Sequence, residues 1–181
     1  MTKKIIITGG LGYIGTELCK IYSGVSWHHK VIVLDNRFVS ERVNQIRNWN
    51  MEFIHGDILD KDLVKKLFSD ADIVHHLAGV TAVPRTQGEA TNEINNKIKK
   101  VGEEGTQNIL DAINVSCKII FPSTHVIYEG LESVKQELDE EEIPKPILSY
   151  GKSKFINEQQ LKESGKNYVI LRLGSVYGYS T

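Results

Sequence analysis

Ile5-Ile6-Ile7-Thr8-Gly9-Gly10-Leu11-Gly12-Tyr13-Ile14-Gly15 runs from a β-branched strand candidate into four glycines and then directly into a helical pattern. The glycines read as GxxGxxG from Gly9 or as GxGxxG from Gly10, and both readings share Gly12 and Gly15. Such a turn needs glycine for three reasons: the chain reverses tightly, a pyrophosphate must approach the backbone, and the helix must pack close to its strand. The helix start then offers free N–H groups to phosphate. Asp35 closes the second apolar run, 20 residues beyond Gly15. A carboxylate there accepts hydrogen bonds from an adenosine ribose diol and repels a 2′-phosphate, so the pattern points to NAD over NADP. Arg37, two positions on, runs against that choice.

Outward from this turn, short β-branched runs recur at residues 5–8, 31–34, 51–55, 73–77, 118–122 and 168–173. Continuous rather than alternating apolar runs suit strands buried on both faces of a parallel sheet. Helical candidates fall between them at 13–23, 40–48, 60–68, 89–114 and 149–164. The alternation predicts an α/β, doubly wound parallel sheet of the Rossmann kind with about six strands, whose ligands gather at the carboxyl ends of the strands. Residues 123–148 break the rhythm and carry the acidic run Glu137, Asp139, Glu140, Glu141, Glu142, read as a solvated loop. The stretch from Gly174 to Thr181 follows the last strand with no closing helix.

Composition narrows the function classes. A chain of 181 residues with 25% charged and 40% hydrophobic residues is an ordinary globular domain, long enough to bury a real core. With 22 Lys+Arg against 23 Asp+Glu it carries no basic footprint for nucleic acid or anionic lipid. No run approaches the ~20 apolar residues of a membrane span. The N-terminal apolar run ends too soon for a secretory signal, which makes the cytoplasm the expected location. Cys19 and Cys117 match no metal spacing and read as core thiols. His28, His29, His55, His75, His76 and His125 form no ligand pattern, so no metal is expected and they read as surface or strand-end residues, with His125 set apart because it adjoins Thr124.

Later in the chain Tyr150-Gly151-Lys152-Ser153-Lys154 opens a helix, with Tyr150 and Lys154 at i and i+4 on one face. A phenol with a pKa near ~10 is a poor base at neutral pH unless a cation stabilises the phenolate. Lys154, helped by an oxidised nicotinamide, supplies that cation. Thr124, at the carboxyl end of the fifth strand, can hydrogen-bond the reacting oxygen and hold it against the phenol.

This ordered set resembles the extended short-chain dehydrogenase/reductases, the NAD-dependent nucleotide-sugar epimerases and dehydratases. The resemblance is carried by Thr8 to Gly15, Asp35-Asn36, Gly56-Asp57-Ile58, His76-Leu77-Ala78-Gly79, Thr124 to Tyr128, Tyr150 to Lys154 and Leu171 to Gly178. It implies a dinucleotide site made of Gly9, Gly12, Tyr13, Ile14, Gly15, Asp35 and Asn36. Asp57 and Ile58 would flank the adenine, Leu77, Ala78 and Gly79 would line the cofactor, and Lys154 would also bond the nicotinamide ribose. Thr124, Tyr150 and Lys154 would be the catalytic groups, acting on a nucleotide-sugar substrate.

Departures from the family pattern sharpen the expectation. Gly102 stands where members commonly have Asn, and Thr81, in the stretch Ala78 to Val83, where UDP-hexose 4-epimerases tend to carry Lys. His125-Val126 follows Thr124 in place of the acids typical of dehydratases, which speaks against water elimination. The family's substrate lobe has no counterpart in these residues, so residues 1–181 read as an NAD-binding domain with that lobe absent or truncated. Epimerase is the leading expectation, with a reductase or dehydratase of the same family, and a non-catalytic NAD-binding module or truncated paralogue, as alternatives. A homodimer through the long helix and the Tyr150 helix is also implied. Ile94, Ile98, Val101, Ile109, Leu110 and Ile113 fit such a surface or the sheet-facing core equally well.

Overall fold

The computed structural model describes residues 1–80, 86–131 and 138–178. Thr81, Ala82 and Val83, Glu137 and Tyr179 to Thr181 lie outside the described residues. Six strands, β1 (Lys4–Thr8), β2 (Lys30–Asp35), β3 (Glu52–His55), β4 (Ile73–His76), β5 (Lys118–Thr124) and β6 (Asn167–Leu173), form one sheet. Every pairing is parallel and the order is β3-β2-β1-β4-β5-β6. The winding direction therefore reverses between β1 and β4, and a crevice opens there at the carboxyl ends.

Among the described residues six α-helices connect the strands: α1 (Tyr13–Ser23), α2 (Ser40–Asn48), α3 (Lys61–Phe68), α4 (Asn92–Lys99), α5 (Gly105–Ala112) and α6 (Ser149–Glu163). The strands feed two cores because alternate residues face opposite sides. Ile5, Ile7, Val31 and Val33 pack with Leu11, Cys19, Val43 and Ile46. Ile6, Ile32, Leu34 and Val74 pack with Val64, Phe68, Ile109, Phe121 and Leu161. Burying each such side chain is worth about 1.5–3 kcal/mol, which makes the double-sided sheet the dominant stabilising feature. Cys19 and Cys117 are buried free thiols, pushed up to about 12 and about 11 by burial. The loop residues Glu140, Glu141 and Glu142 are exposed, as the charge run predicts.

Two expectations need correction. The single helix anticipated over 89–114 is instead α4, a π-helical turn at Lys100–Glu104, and α5. The widening has a local cause: Asn157 Nδ2 donates to Gly102 O (3.1 Å) and Gln160 Nε2 to Glu103 O (3.0 Å), so side chains of α6 enter the carbonyl ladder. Gly102 is compatible with that approach, since a Cβ there would lie 2.4 Å from Ser153 Oγ. Next, β5 continues past Pro122, where an end was expected. Its register with β4 stops at Ile120, so the missing N–H of Pro122 costs no ladder bond to β4. His75 and His76 stand at the end of β4, as the strand-end reading has it, and are buried, 8% and 1% exposed. Ile98, Ile109, Leu110 and Ile113 are buried as well, which assigns them to the core side of the choice left open above.

Candidate active site

The glycine turn is set by close approach. Gly9 has φ +66°, and a Cβ on it would lie 2.8 Å from the backbone of Ala78. Its N–H donates to Leu34 O (2.8 Å) and its carbonyl accepts from Gly12 N (3.0 Å). Gly12 precedes α1 in extended conformation and no side chain caps the helix, so the first N–H groups face the crevice. Asp35, 5% exposed, braces the turn: Oδ2 accepts from Leu11 N (3.0 Å) and Oδ1 from Arg37 N (2.9 Å). Asn36 Nδ2 donates to Asp57 Oδ2 (2.9 Å), which ties the ends of β2 and β3 together.

A cavity of about 270 Å³ is lined by Gly9, Gly12, Asp35, Asn36, Asp57, Ile58, Leu77, Ala78 and Gly79. A second, also about 270 Å³, is lined by Gly9, Gly12, Tyr13, Ile14, Gly15, Thr124, Tyr150 and Lys154. The two share Gly9, Gly12, Leu77, Gly79 and Val80, so they adjoin there and together take in each residue expected to bind the cofactor or act in catalysis. Tyr13 bounds the second by donating from its hydroxyl to Gly178 O (2.7 Å).

At that end, Lys154 Nζ donates to Pro122 O (2.8 Å) and sits 4.4 Å from the centroid of the Phe121 ring. Its distance to the Tyr150 ring centroid is 6.0 Å. Burial lowers Lys154 to about 8, and raises Tyr150 above its ordinary value. The phenol alone is therefore a weaker base than in water, and only neighbouring positive charge can reverse that. Thr124 is buried and accepts from Val126 N (3.2 Å), while Ser123 Oγ beside it is buried with no hydrogen-bond partner among the described residues. The α6 start is clasped by Glu129, whose Oε1 accepts from Ile147 N (2.6 Å) and Leu148 N. Phe121, Pro122 and Glu129 carry no motif, and nothing in their sequence context marks these roles.

His76 ties the site together from within the core. Ala78 N donates to Thr8 Oγ1 (3.0 Å), Thr8 Oγ1 lies 3.0 Å from His76 Nδ1, and His76 Nε2 lies 2.9 Å from Thr106 Oγ1. Burial, reinforced by the Lys154 charge, lowers His76 to about 3, and burial lowers His75 to about 4. Among the described residues no group of three His, Cys, Asp or Glu could hold a metal. The two histidines have a consequence for acid stability. An unfolded histidine takes up its proton near ~6.5, whereas the folded pair refuses it until much lower pH, so the unfolded state binds more protons in between. Stability is complete above about 6.5 and falls as pH drops below it, by up to about 1.4 kcal/mol per pH unit for each histidine. Urea midpoints between pH 7 and pH 5 should show this slope, reduced in His75→Gln, which keeps a partner for the Tyr22 hydroxyl 2.7 Å from Nε2. An identical slope in that variant would refute the assignment to His75.

The crevice can take a dinucleotide: glycines leave the phosphate seat open, an acid closes each of β2 and the loop after β3, and Lys154 waits at the far end. Residues 5–181 match the model of the NAD dependent epimerase/dehydratase family. The chain belongs to that family. It is 31% identical to the CDP-paratose 2-epimerase of Salmonella typhi, over 97% of this chain and 58% of that protein. It is also 31% identical to the UDP-glucose 4-epimerase of Haemophilus influenzae, over 90% of this chain and 48% of that one. Among solved structures, the UDP-glucuronic acid 4-epimerase of Bacillus cereus in complex with NAD superposes with a TM-score of 0.79 at 28% identity, over 97% of this chain and 57% of the other. WbmH of Bordetella bronchiseptica in complex with NAD+ gives a TM-score of 0.81 at 27% identity, covering 98% and 57%. The chain thus spans about half the length of its relatives, whose family consists of NAD-dependent enzymes.

Proposed function

We propose that residues 1–181 form the NAD-binding domain of a nucleotide-sugar epimerase. The observation that carries this reading is the continuity of the crevice, which brings the glycine turn and the Thr124, Tyr150 and Lys154 side chains onto one elongated space. In this reading Gly9, Gly12, Tyr13, Ile14 and Gly15 seat the diphosphate and Asp35 and Asn36 take the adenosine ribose. Asp57 and Ile58 flank the adenine, and Leu77, Ala78 and Gly79 form the floor. Bound NAD supplies hydride acceptance from a sugar carbon and hydride return to its opposite face. Tyr150 Oη takes the proton of the sugar hydroxyl on oxidation and gives it back on reduction. Thr124 Oγ1 holds the same oxygen in line. The Lys154 ammonium, seated on Pro122 O, stabilises the phenolate. Water elimination is disfavoured because exposed His125, not a carboxylate, follows Thr124.

The epimerase reading is tested in a protein of its relatives' length, loaded with NAD and given UDP-, dTDP- and CDP-hexoses. Proton NMR should show an epimer pair approaching equilibrium with no net NADH. Accumulation of NADH or of a keto sugar would replace the epimerase reading by a reductase or dehydratase.

A further inference from the structure

Arg37 is a polar group at this end of the crevice whose terminal nitrogens meet no acceptor among the described residues. Both carboxylates of that cavity are engaged. Asp35 accepts from Leu11 N and Arg37 N and lies 3.4 Å from Arg37 Nε, while Asp57 accepts from Asn36 Nδ2 and Leu59 N (2.9 Å). Arg42 is committed too, donating to Leu11 O, and Lys97 lines the α4 side of the cavity. The terminal nitrogens of Arg37 meet no acceptor among the described residues, and its side chain is 53% exposed to the crevice and solvent. Nη2 lies 3.7 Å from the point that a Cβ on Gly12 would occupy. Gly12 is the residue that opens α1 without a side-chain cap. The guanidinium and the positive end of the helix therefore face one small volume that glycine keeps clear.

A forked cation beside unsatisfied N–H groups is a setting for phosphate oxygens. Resting on the cofactor reading above, we propose that Arg37 is a phosphate ligand of the bound dinucleotide, closing over the Gly12 end of α1. Its reach to Gly12 places it on the diphosphate. The other phosphate it could meet is the 2′-phosphate of NADP, which the Asp35 carboxylate opposes by like charge. Arg37 would then add cofactor affinity that the glycine motif does not encode. It would also set how far the adenosine end tolerates NADP.

The test is displacement of NADH fluorescence from the chain by adenosine, 5′-ADP and 2′-AMP, in wild type, Arg37→Met and Arg37→Lys, with thermal midpoints confirming that each variant is folded. The expected result for Arg37→Met is about tenfold weaker 5′-ADP, adenosine unchanged within about twofold, and partial recovery in Arg37→Lys. Weakening of 2′-AMP alone overturns the diphosphate placement, since NAD carries no 2′-phosphate. No change in either phosphate ligand overturns the proposal. So does an equal loss for adenosine, since that would mean Arg37 acts only by holding Asp35. A wild-type chain that does not bind NADH at all would overturn the cofactor reading, and the assignment of Arg37 with it.

Discussion

Tyr150→Phe, made in a protein of the relatives' length, is expected to cut turnover by about 10²–10⁴-fold, the usual contribution of a positioned acid–base group. The ring and its packing survive this change, so NADH affinity should stay within about twofold and KM should move little: the interaction removed acts in the transition state. Unchanged turnover would eliminate Tyr150 as the base. The pH profile separates this role from a structural one. Burial lowers Lys154 to about 8, so the ammonium proposed to support the phenolate is lost as pH rises past that value, and wild-type turnover should decline. The effect on stability has the opposite sign. A lysine whose folded pKa lies below its unfolded ~10.4 leaves the unfolded state binding more protons in that interval, so this group raises stability as pH increases between the two values. Activity and the Lys154 contribution to stability should therefore diverge in mildly alkaline solution. A parallel decline of both would mean that the loss of rate is only unfolding.

Gly15→Ala should have the second large effect. The new Cβ would lie 2.4 Å from Gly9 O and 2.6 Å from Gly10 Cα, both backbone atoms that cannot rotate away. Helix α1 must then lift from the turn, which reshapes the proposed phosphate seat and loosens the packing of Leu11 and Cys19 behind it. The expected outcome is destabilisation by about 1–3 kcal/mol, as for other overpacking changes. NADH affinity should fall by at least about a hundredfold, because misplacing the free N–H groups removes several phosphate contacts together. Gly88→Ala is the control: among the described residues nothing lies within 4 Å of its Cβ position, and its thermal midpoint should match wild type. Normal NADH binding by Gly15→Ala would show that the turn is not the phosphate seat.

Most of the architecture was legible without coordinates because local and global preferences agree. The boundaries of α1 and α2 coincide with their apolar patterns, and each strand run falls within a residue or two of its observed limits. The glycine turn was legible for the same reason, since steric demands of that kind admit few residue types. Other features lay beyond the pattern. A helical period across residues 89–114 does not reveal the π turn, which exists because Asn157 and Gln160 arrive from another helix. Six scattered histidines do not disclose that one of them lies between Thr8 and Thr106.

By itself the sequence determined the doubly wound sheet, the dinucleotide turn and the residue types able to move a proton, since each is written in short-range spacing and side-chain chemistry. Only the tertiary structure decided that these pieces share one crevice, that Lys154 rests on Pro122 and Phe121, and that the terminal nitrogens of Arg37 stand over Gly12. Those facts depend on contacts between segments dozens of residues apart. Their distances are set by how strands and helices pack, which no local pattern encodes.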